Sequence, residues 1–244
     1  MTYCLGIFLR EGLVFASDSR TNAGVDNIAT FRKMAIFEKP GEKVMVLLSA
    51  GNLATTQLVV NRLNRVLEDP SSNHSLFKCT SMFEAAEMVG EVLREVLETH
   101  GEHVRQAHAD PGADFLFGGQ IKGGKLRLFH IYSAGNFIEA SPETPFLQIG
   151  ETKYGKPILD RVITHDLSIE KAVKVTMLSF DATMRSNLSV GLPIDIATYK
   201  EGSFKMASHK VVTETDEFHA DLRRRYNQGL IELFDTLPNP PWLA

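Results

Sequence analysis

The sequence predicts an α+β fold, a four-layer αββα sandwich, and three observations carry that expectation. Short apolar or alternating runs of strand length come in pairs around glycine-containing turns. Two helix pairs, with apolar positions near the 3.6-residue period, separate those hairpins. Regular alternation of strand and helix, the mark of a parallel sheet, is absent. Two hairpin-built sheets with helices on their outer faces bury all of these patterns. With 244 residues, 43% of them hydrophobic and 23% charged, the chain can fill such a core. No linker interrupts it, so 1–244 reads as one domain with a proline-rich tail at 238–244.

The elements follow in order. Apolar runs at 3–9 and 13–16 flank a turn at Arg10-Glu11-Gly12 and make the first hairpin. A strand over 31–37, the turn Lys39-Pro40-Gly41-Glu42 and a strongly apolar strand over 44–50 come next. Gly51-Asn52 hands over to a helix through Leu53, Leu58, Leu63, Val66 and Leu67, which stops before Asp69-Pro70-Ser71-Ser72. Ser81 with Glu84 makes a capping box for a helix through Ala85, Val89, Leu93 and Val96, ending near His100-Gly101. Strands at 115–121, 126–132 and 146–149 are parted by Lys122-Gly123-Gly124-Lys125 and by a turn at Gly135-Asn136. Pro157 suits the first turn of a helix, and Ser168 caps another through Ala172, Val175, Leu178 and Met184. A last hairpin, 194–199 with 205–206, leads to a terminal helix around 222–237.

Composition excludes several functions. A net charge of −4 argues against a protein held on nucleic acid by phosphate contacts, and Arg223-Arg224-Arg225 reads as a solvated helix face or subunit contact. Cys4 and Cys79 make no disulfide framework, and Cys4 reads as a small buried hydrophobe. No signal-like segment and no run long enough for a membrane span occurs, so the expectation is a cytoplasmic protein without membrane contact. His100, His103 and His108 lack a matching carboxylate–histidine pattern, so no metal and no cofactor is expected. Gly123-Gly124-Lys125 lacks the Ser or Thr of a phosphate loop, since Leu126 follows. A Gly-x-Ser-x-Gly elbow is absent.

The chemistry concentrates at the start. Thr2 stands directly behind Met1, and removal of a methionine ahead of a small residue gives Thr2 both a hydroxyl and a free α-amine. Such an amine has an ordinary pKa of about 7.7–8.0, so at neutral pH a useful fraction takes the hydroxyl proton, directly or through one water. Nucleophile and base then share one residue; with Met1 attached, that nitrogen is an amide and no base. Asp18 closes the second run, and Lys33 follows on an extended segment. A hairpin and its neighbour bring all three to one end of a sheet.

Thr2, Asp18-Ser19-Arg20, Lys33 and Ser49-Ala50-Gly51 leading into a helix resemble the proteasome β-subunit family of N-terminal nucleophile hydrolases, in particular its bacterial Anbu, or ancestral β-subunit, branch. Gly150-Glu151-Thr152-Lys153-Tyr154-Gly155-Lys156-Pro157 and Ser186-Asn187-Leu188-Ser189-Val190-Gly191 extend the resemblance, which runs from Thr2 to about Tyr199. It implies the proteasome-subunit fold and a threonine peptidase or amidase. Thr2 would attack an amide carbonyl to give an acyl-enzyme ester that water hydrolyses. Lys33 would lower the pKa of the Thr2 amine or hydroxyl by its charge, Asp18 would fix Lys33, and Arg20 would support the corner. The Gly51 N–H would stabilise the oxyanion. Two departures from the family pattern stand out: Glu151 occupies the place of a serine, and Ser186 that of an aspartate, while Ser189 is kept. Glu151 as a new acidic partner would hold the amine protonated and slow it.

Four residues are expected to line the first substrate pocket: Ser49 and Leu53, with Thr21 and Phe31 nearby. That mix is small, weakly apolar and without a counter-charge, which predicts no strong preference for charged residues at the cleaved position. The resemblance also implies a homo-oligomer, a ring or open helical turn enclosing the sites, and the tail with its only Trp, Trp242, fits that role or a disordered one. Three functions stay open: a peptidase in a self-compartmentalised assembly, a scaffold or peptide-binding protein of the same fold with weak or lost turnover, and an acylase of small amides.

Overall fold

A computed structural model describes residues 2–22, 28–67 and 75–243. Two five-stranded antiparallel sheets stack face to face. The first has the order β10-β1-β2-β11-β12, built from β1 (Tyr3–Leu9), β2 (Gly12–Asp18), β10 (Phe146–Gly150), β11 (Ile194–Lys200) and β12 (Met206–Val212). The second has the order β5-β6-β7-β8-β9, from β5 (Met34–Lys39), β6 (Lys43–Gly51), β7 (Ala113–Ile121), β8 (Arg127–Ile131) and β9 (Phe137–Glu139). A small ribbon pairs β3 (Arg20–Asn22) with β4 (Ile28–Thr30). Helices α1 (Leu53–Leu67) and α2 (Met82–Gln106) cover the second sheet; α3 (Lys156–Val162) and α4 (Ile169–Ser186) cover the first, with α5 (Glu217–Asp235) outside α4. This is the αββα sandwich that the hairpin and helix order predicts.

Alternation along the strands divides the interior into three apolar layers. On β6, Val44, Val46 and Leu48 face the opposite sheet and, with Leu116 of β7 and Leu128 of β8 beside them, meet its Cys4, Leu13, Phe15, Ile149 and Tyr199. Met45 and Leu47 point the other way, onto Val59 and Leu63 of α1 and Val89, Leu93 and Val96 of α2. Tyr3, Leu5, Ile7 and Leu9 of β1 likewise face Leu159, Ala172, Val175 and Phe180 of α3 and α4. Because a strand's side chains alternate with period two, a one-residue slip of either sheet would exchange these layers.

Helix ends follow local chemistry. Ser81 Oγ accepts from Glu84 N at 3.1 Å, while the Glu84 carboxylate reaches past Ser81 to the N–H of Thr80 at 2.7 Å, one residue beyond the predicted capping box. Ser168 Oγ caps Lys171 N at 3.4 Å. Helix α5 starts earlier than the apolar pattern suggests, because Asp216 caps it through His219 N at 2.9 Å. The predicted strand 31–37 divides: β4 ends at Thr30 and β5 begins at Met34, with Lys33 turned inward between them. The predicted helix stop at Asp69-Pro70-Ser71-Ser72 lies outside the described residues. Strand β12 extends to Val212 rather than Met206; its mostly exposed, polar residues hide the strand signal of an edge. Strand β9 and the ribbon, three residues per strand, are too short to show a period.

Candidate active site

The site sits where β1, β2 and β10 end together. Tyr3 pairs with Gly150, and the ladder continues one step through Glu151 N–H donating to Thr2 O at 2.7 Å. Gly150 has φ +82°, and a Cβ there would lie 2.0 Å from Thr2 O; only glycine lets β10 pass this close to the start of the chain. Asp18, the last residue of β2, pairs with Ile194 on its other side. Its fully buried carboxylate collects two donors on one oxygen: Oδ1 accepts the Tyr3 N–H at 3.0 Å and the Lys33 Nζ at 2.8 Å. Lys33 Nζ also donates to Arg20 O at 2.6 Å. A single carboxylate oxygen thus ties the peptide group after Thr2 to the ammonium of Lys33.

Burial pushes the Asp18 carboxyl above the usual carboxylate range, and the Lys33 charge and the Tyr3 N–H partly offset it. Its Oδ2 has no hydrogen-bond partner among the described residues. Next to it, Ser19 Oγ donates to Asp195 Oδ2 at 3.2 Å, and Asp195 Oδ1 faces His209 Nε2 at 3.0 Å. The backbone N–H of Ser19 donates to Pro193 O at 2.9 Å, and the Leu192–Pro193 peptide is cis.

The remaining predicted residues fall into two groups. Arg20 Nη1 donates to Leu188 O at 3.1 Å and packs against Gly191, which fixes the segment after α4. There Asn187, the C-terminal cap of α4, joins both sides: its Nδ2 donates to Glu151 Oε2 at 2.9 Å and its Oδ1 accepts from Ser189 N at 2.9 Å. Glu151 is buried, and its Oε1 accepts from Lys153 N at 3.3 Å. Ser186 is exposed at the helix end. Sequence reading weighed Ser186 and passed over its neighbour Asn187, whose signal was its place just past a helix end. Gly51 closes β6 with φ +106°, where a Cβ would lie 2.4 Å from Gly112 O; Asn52 N–H donates to that same oxygen at 2.8 Å.

Lys33 also borders a cavity of about 100 Å³. Ser49 of β6 and Leu53 of α1 line it, with Arg32, Met34 and Ala35 on one side and Thr56, Gln57, Val60 and Asn61 on the other. Phe31 is not among the lining residues and is 37% exposed; the side chain of Thr21 lies outside the described residues. Arg32, Thr56, Gln57 and Asn61 are polar lining groups that the sequence reading did not name.

The pattern of the family described as proteasome subunit matches residues 2–199. No curated protein matches the chain significantly. Among solved structures, Anbu (ancestral beta-subunit) from Yersinia bercovieri is 47% identical, with a TM-score of 0.92 and 98% of each chain covered. An Anbu (Gly-1) mutant from Hyphomicrobium sp. strain MC1 is 46% identical at TM-score 0.92, covering 98% of this chain and 99% of that one. The helical assembly of the Anbu complex from Pseudomonas aeruginosa gives 46% identity, TM-score 0.92 and 98% of each chain. Family pattern and near-complete structural likeness agree with the motifs around Thr2: the chain belongs to the proteasome subunit family, on its Anbu, or ancestral beta-subunit, branch.

Proposed function

We propose that this chain is a threonine peptidase or amidase of the N-terminal nucleophile kind, working inside a homo-oligomer. The observation that carries the reading is the double use of Asp18 Oδ1, which holds the Thr2–Tyr3 peptide and the Lys33 ammonium on one atom. After loss of Met1, the Thr2 amine takes the proton of the Thr2 hydroxyl, and Oγ1 attacks the substrate carbonyl. The Lys33 charge favours the deprotonated forms of both groups. The N–H of Gly51 receives the developing oxyanion. Collapse expels the amine portion, protonated by the Thr2 ammonium, and leaves an ester on Thr2. Water activated by the same amine then releases the acid. Arg20 and Ser189 hold the segment after α4 against this corner.

A second reading, a scaffold of the same fold with weak turnover, is favoured by Glu151. Its buried carboxylate lies next in chain to the residue pairing with Tyr3 and has no cationic partner among the described residues. A protonated Thr2 amine would neutralise it, and that pairing removes the base. Mass spectrometry of the native protein before and after an epoxyketone probe separates the two. A chain without Met1 that gains one adduct, absent in Thr2→Ala, supports the hydrolase; a processed chain that never reacts supports the scaffold.

Assembly is supported by the outer helix. Leu230, Ile231, Leu233 and Phe234 of α5, with Leu237 and Trp242 beyond it, are roughly half to four-fifths exposed, and large apolar side chains exposed close together in sequence fit a surface that another copy covers. Among the described residues no helix is long and apolar enough to cross a membrane, and the proposed setting is the bacterial cytoplasm, with peptide or amide substrates and without nucleic acid.

A further inference from the structure

The cavity beside Lys33 has a chemistry of its own. It lies between the start of β5 and one face of α1: Leu53, Thr56, Gln57, Val60 and Asn61 recur at the three- and four-residue spacing that stacks side chains on one side of a helix. Ser49 on β6 completes the lining, and its hydroxyl points to Lys33 O at 3.4 Å. Two cations border the space. The Lys33 charge is matched by Asp18 at 2.8 Å, whereas Arg32 has no hydrogen-bond or ion-pair partner among the described residues. The same is true of the amides of Gln57 and Asn61. No carboxylate is among the described lining residues. The cavity is small, about 100 Å³.

We propose that this cavity selects a short acidic side chain, Glu or Asp, on the acyl side of the cleaved bond, with Arg32 as the specificity-determining residue. The inference rests on the peptidase reading for its setting. A carboxylate entering here meets a guanidinium that has no partner among the described residues and is suited to two-point contact, and the amide groups of Gln57 and Asn61 supply further donors. A basic side chain meets Arg32 and no counter-charge among the described lining residues. The residue escapes a reading of pocket composition made from Ser49, Leu53, Thr21 and Phe31, because it sits between strands where alternation gives no guide to direction.

The test uses the full-length assembled protein and peptide amides that differ only at the position before the scissile bond: Glu, Gln, Leu, Phe or Lys. The expected kcat/KM for Glu exceeds that for Leu about tenfold, or ~1.4 kcal/mol, with Lys lowest. In Arg32→Gln the Glu:Leu ratio falls to near one, and in Arg32→Glu the order of Glu and Lys inverts. Ratios within one variant cancel any loss of folded protein. Independently of turnover, the same peptides are titrated into Thr2→Ala by fluorescence anisotropy, where the Glu:Leu affinity ratio is expected to follow the same pattern and to shrink with added salt. Preference for Leu, Phe or Lys, or a Glu preference that survives Arg32→Gln, overturns the proposal. If Thr2 never reacts with the epoxyketone, the hydrolase reading fails while the affinity ratio still decides this one.

Discussion

The middle of the sandwich and its Thr2 end are built from the same strands by opposite rules. Between the sheets, Phe15, Val46, Leu116 and Leu128 are fully buried and wholly apolar. A few residues along the same strands, Ser17 and Asp18 on β2, Ser19 just after it and Ser49 on β6 are buried but polar, and Lys33, Glu151 and Asp195 join them from neighbouring segments. The apolar middle is held by area and packing, which no single partner controls. The polar end is held by named pairs, so removing one member harms the other. A fold that needed only stability would continue the apolar pattern to the strand ends, since apolar replacement of a buried ion pair is often neutral or stabilising.

The sharpest way to break that contrast is Lys33→Met. It leaves the Asp18 carboxylate buried and unmatched, and a loss of about 3–5 kcal/mol is expected by urea unfolding at pH 7, with loss of Thr2 reactivity. Because burial already raises the folded Asp18 pKa, its ionised form is the unfavourable one in the fold. The deficit is therefore present above that pKa and relieved as pH falls through it. The double variant Asp18→Asn/Lys33→Met is expected to recover wild-type stability or exceed it by up to about 4 kcal/mol while staying inactive. Phe15→Ala, in the middle, also costs about 3–5 kcal/mol, but no second substitution at the Thr2 end restores it; a double-mutant cycle between the two regions should give no coupling.

Smaller effects sharpen the comparison. Gly51→Ala forces a Cβ toward Gly112 O at a positive φ, an expected cost of about 1–3 kcal/mol, and it displaces the amide assigned to the oxyanion, so reactivity should fall further than stability. Smallest is the outer layer. Burial lowers the pKa of His219 below its ordinary value, so the neutral ring is favoured in the fold, and its contribution is intact above about pH 6.5 and lost as pH falls below it. Calorimetry from pH 7 to 5 should show a Tm decline that is shallower by no more than about 2–4 °C in His219→Gln, with no change at the Thr2 site. An equal decline in both proteins would assign the acid sensitivity elsewhere.

The layers were legible because they rest on periodicity, which a sequence carries openly. The runs at Tyr3–Leu9 and Lys43–Gly51 and the spacing of Val89, Leu93 and Val96 announce which sides are buried. Thr2, Asp18 and Lys33 were legible as residue types with a chemistry in common. What stayed hidden depends on the backbone or on direction. The Tyr3 contact to Asp18 uses an N–H that any residue would supply. Asn187 reaches Glu151 only because a helix ends beside a strand turn. Arg32 reaches its cavity because the chain leaves β4 and re-enters a sheet at β5, a break that the apolar pattern bridges over.

That the anchor is the Tyr3 N–H has a consequence for timing. This group belongs to the peptide between Thr2 and Tyr3, so it is chemically the same whether or not a residue precedes Thr2. If Thr2 is unmasked by cutting the bond before it, the cut leaves every tether to Asp18, Lys33 and Glu151 in place. Such a cut would change the chemistry of the Thr2 nitrogen without undoing any contact that places the residue, so under the proposed mechanism the uncut chain would already hold the shape of the cut one.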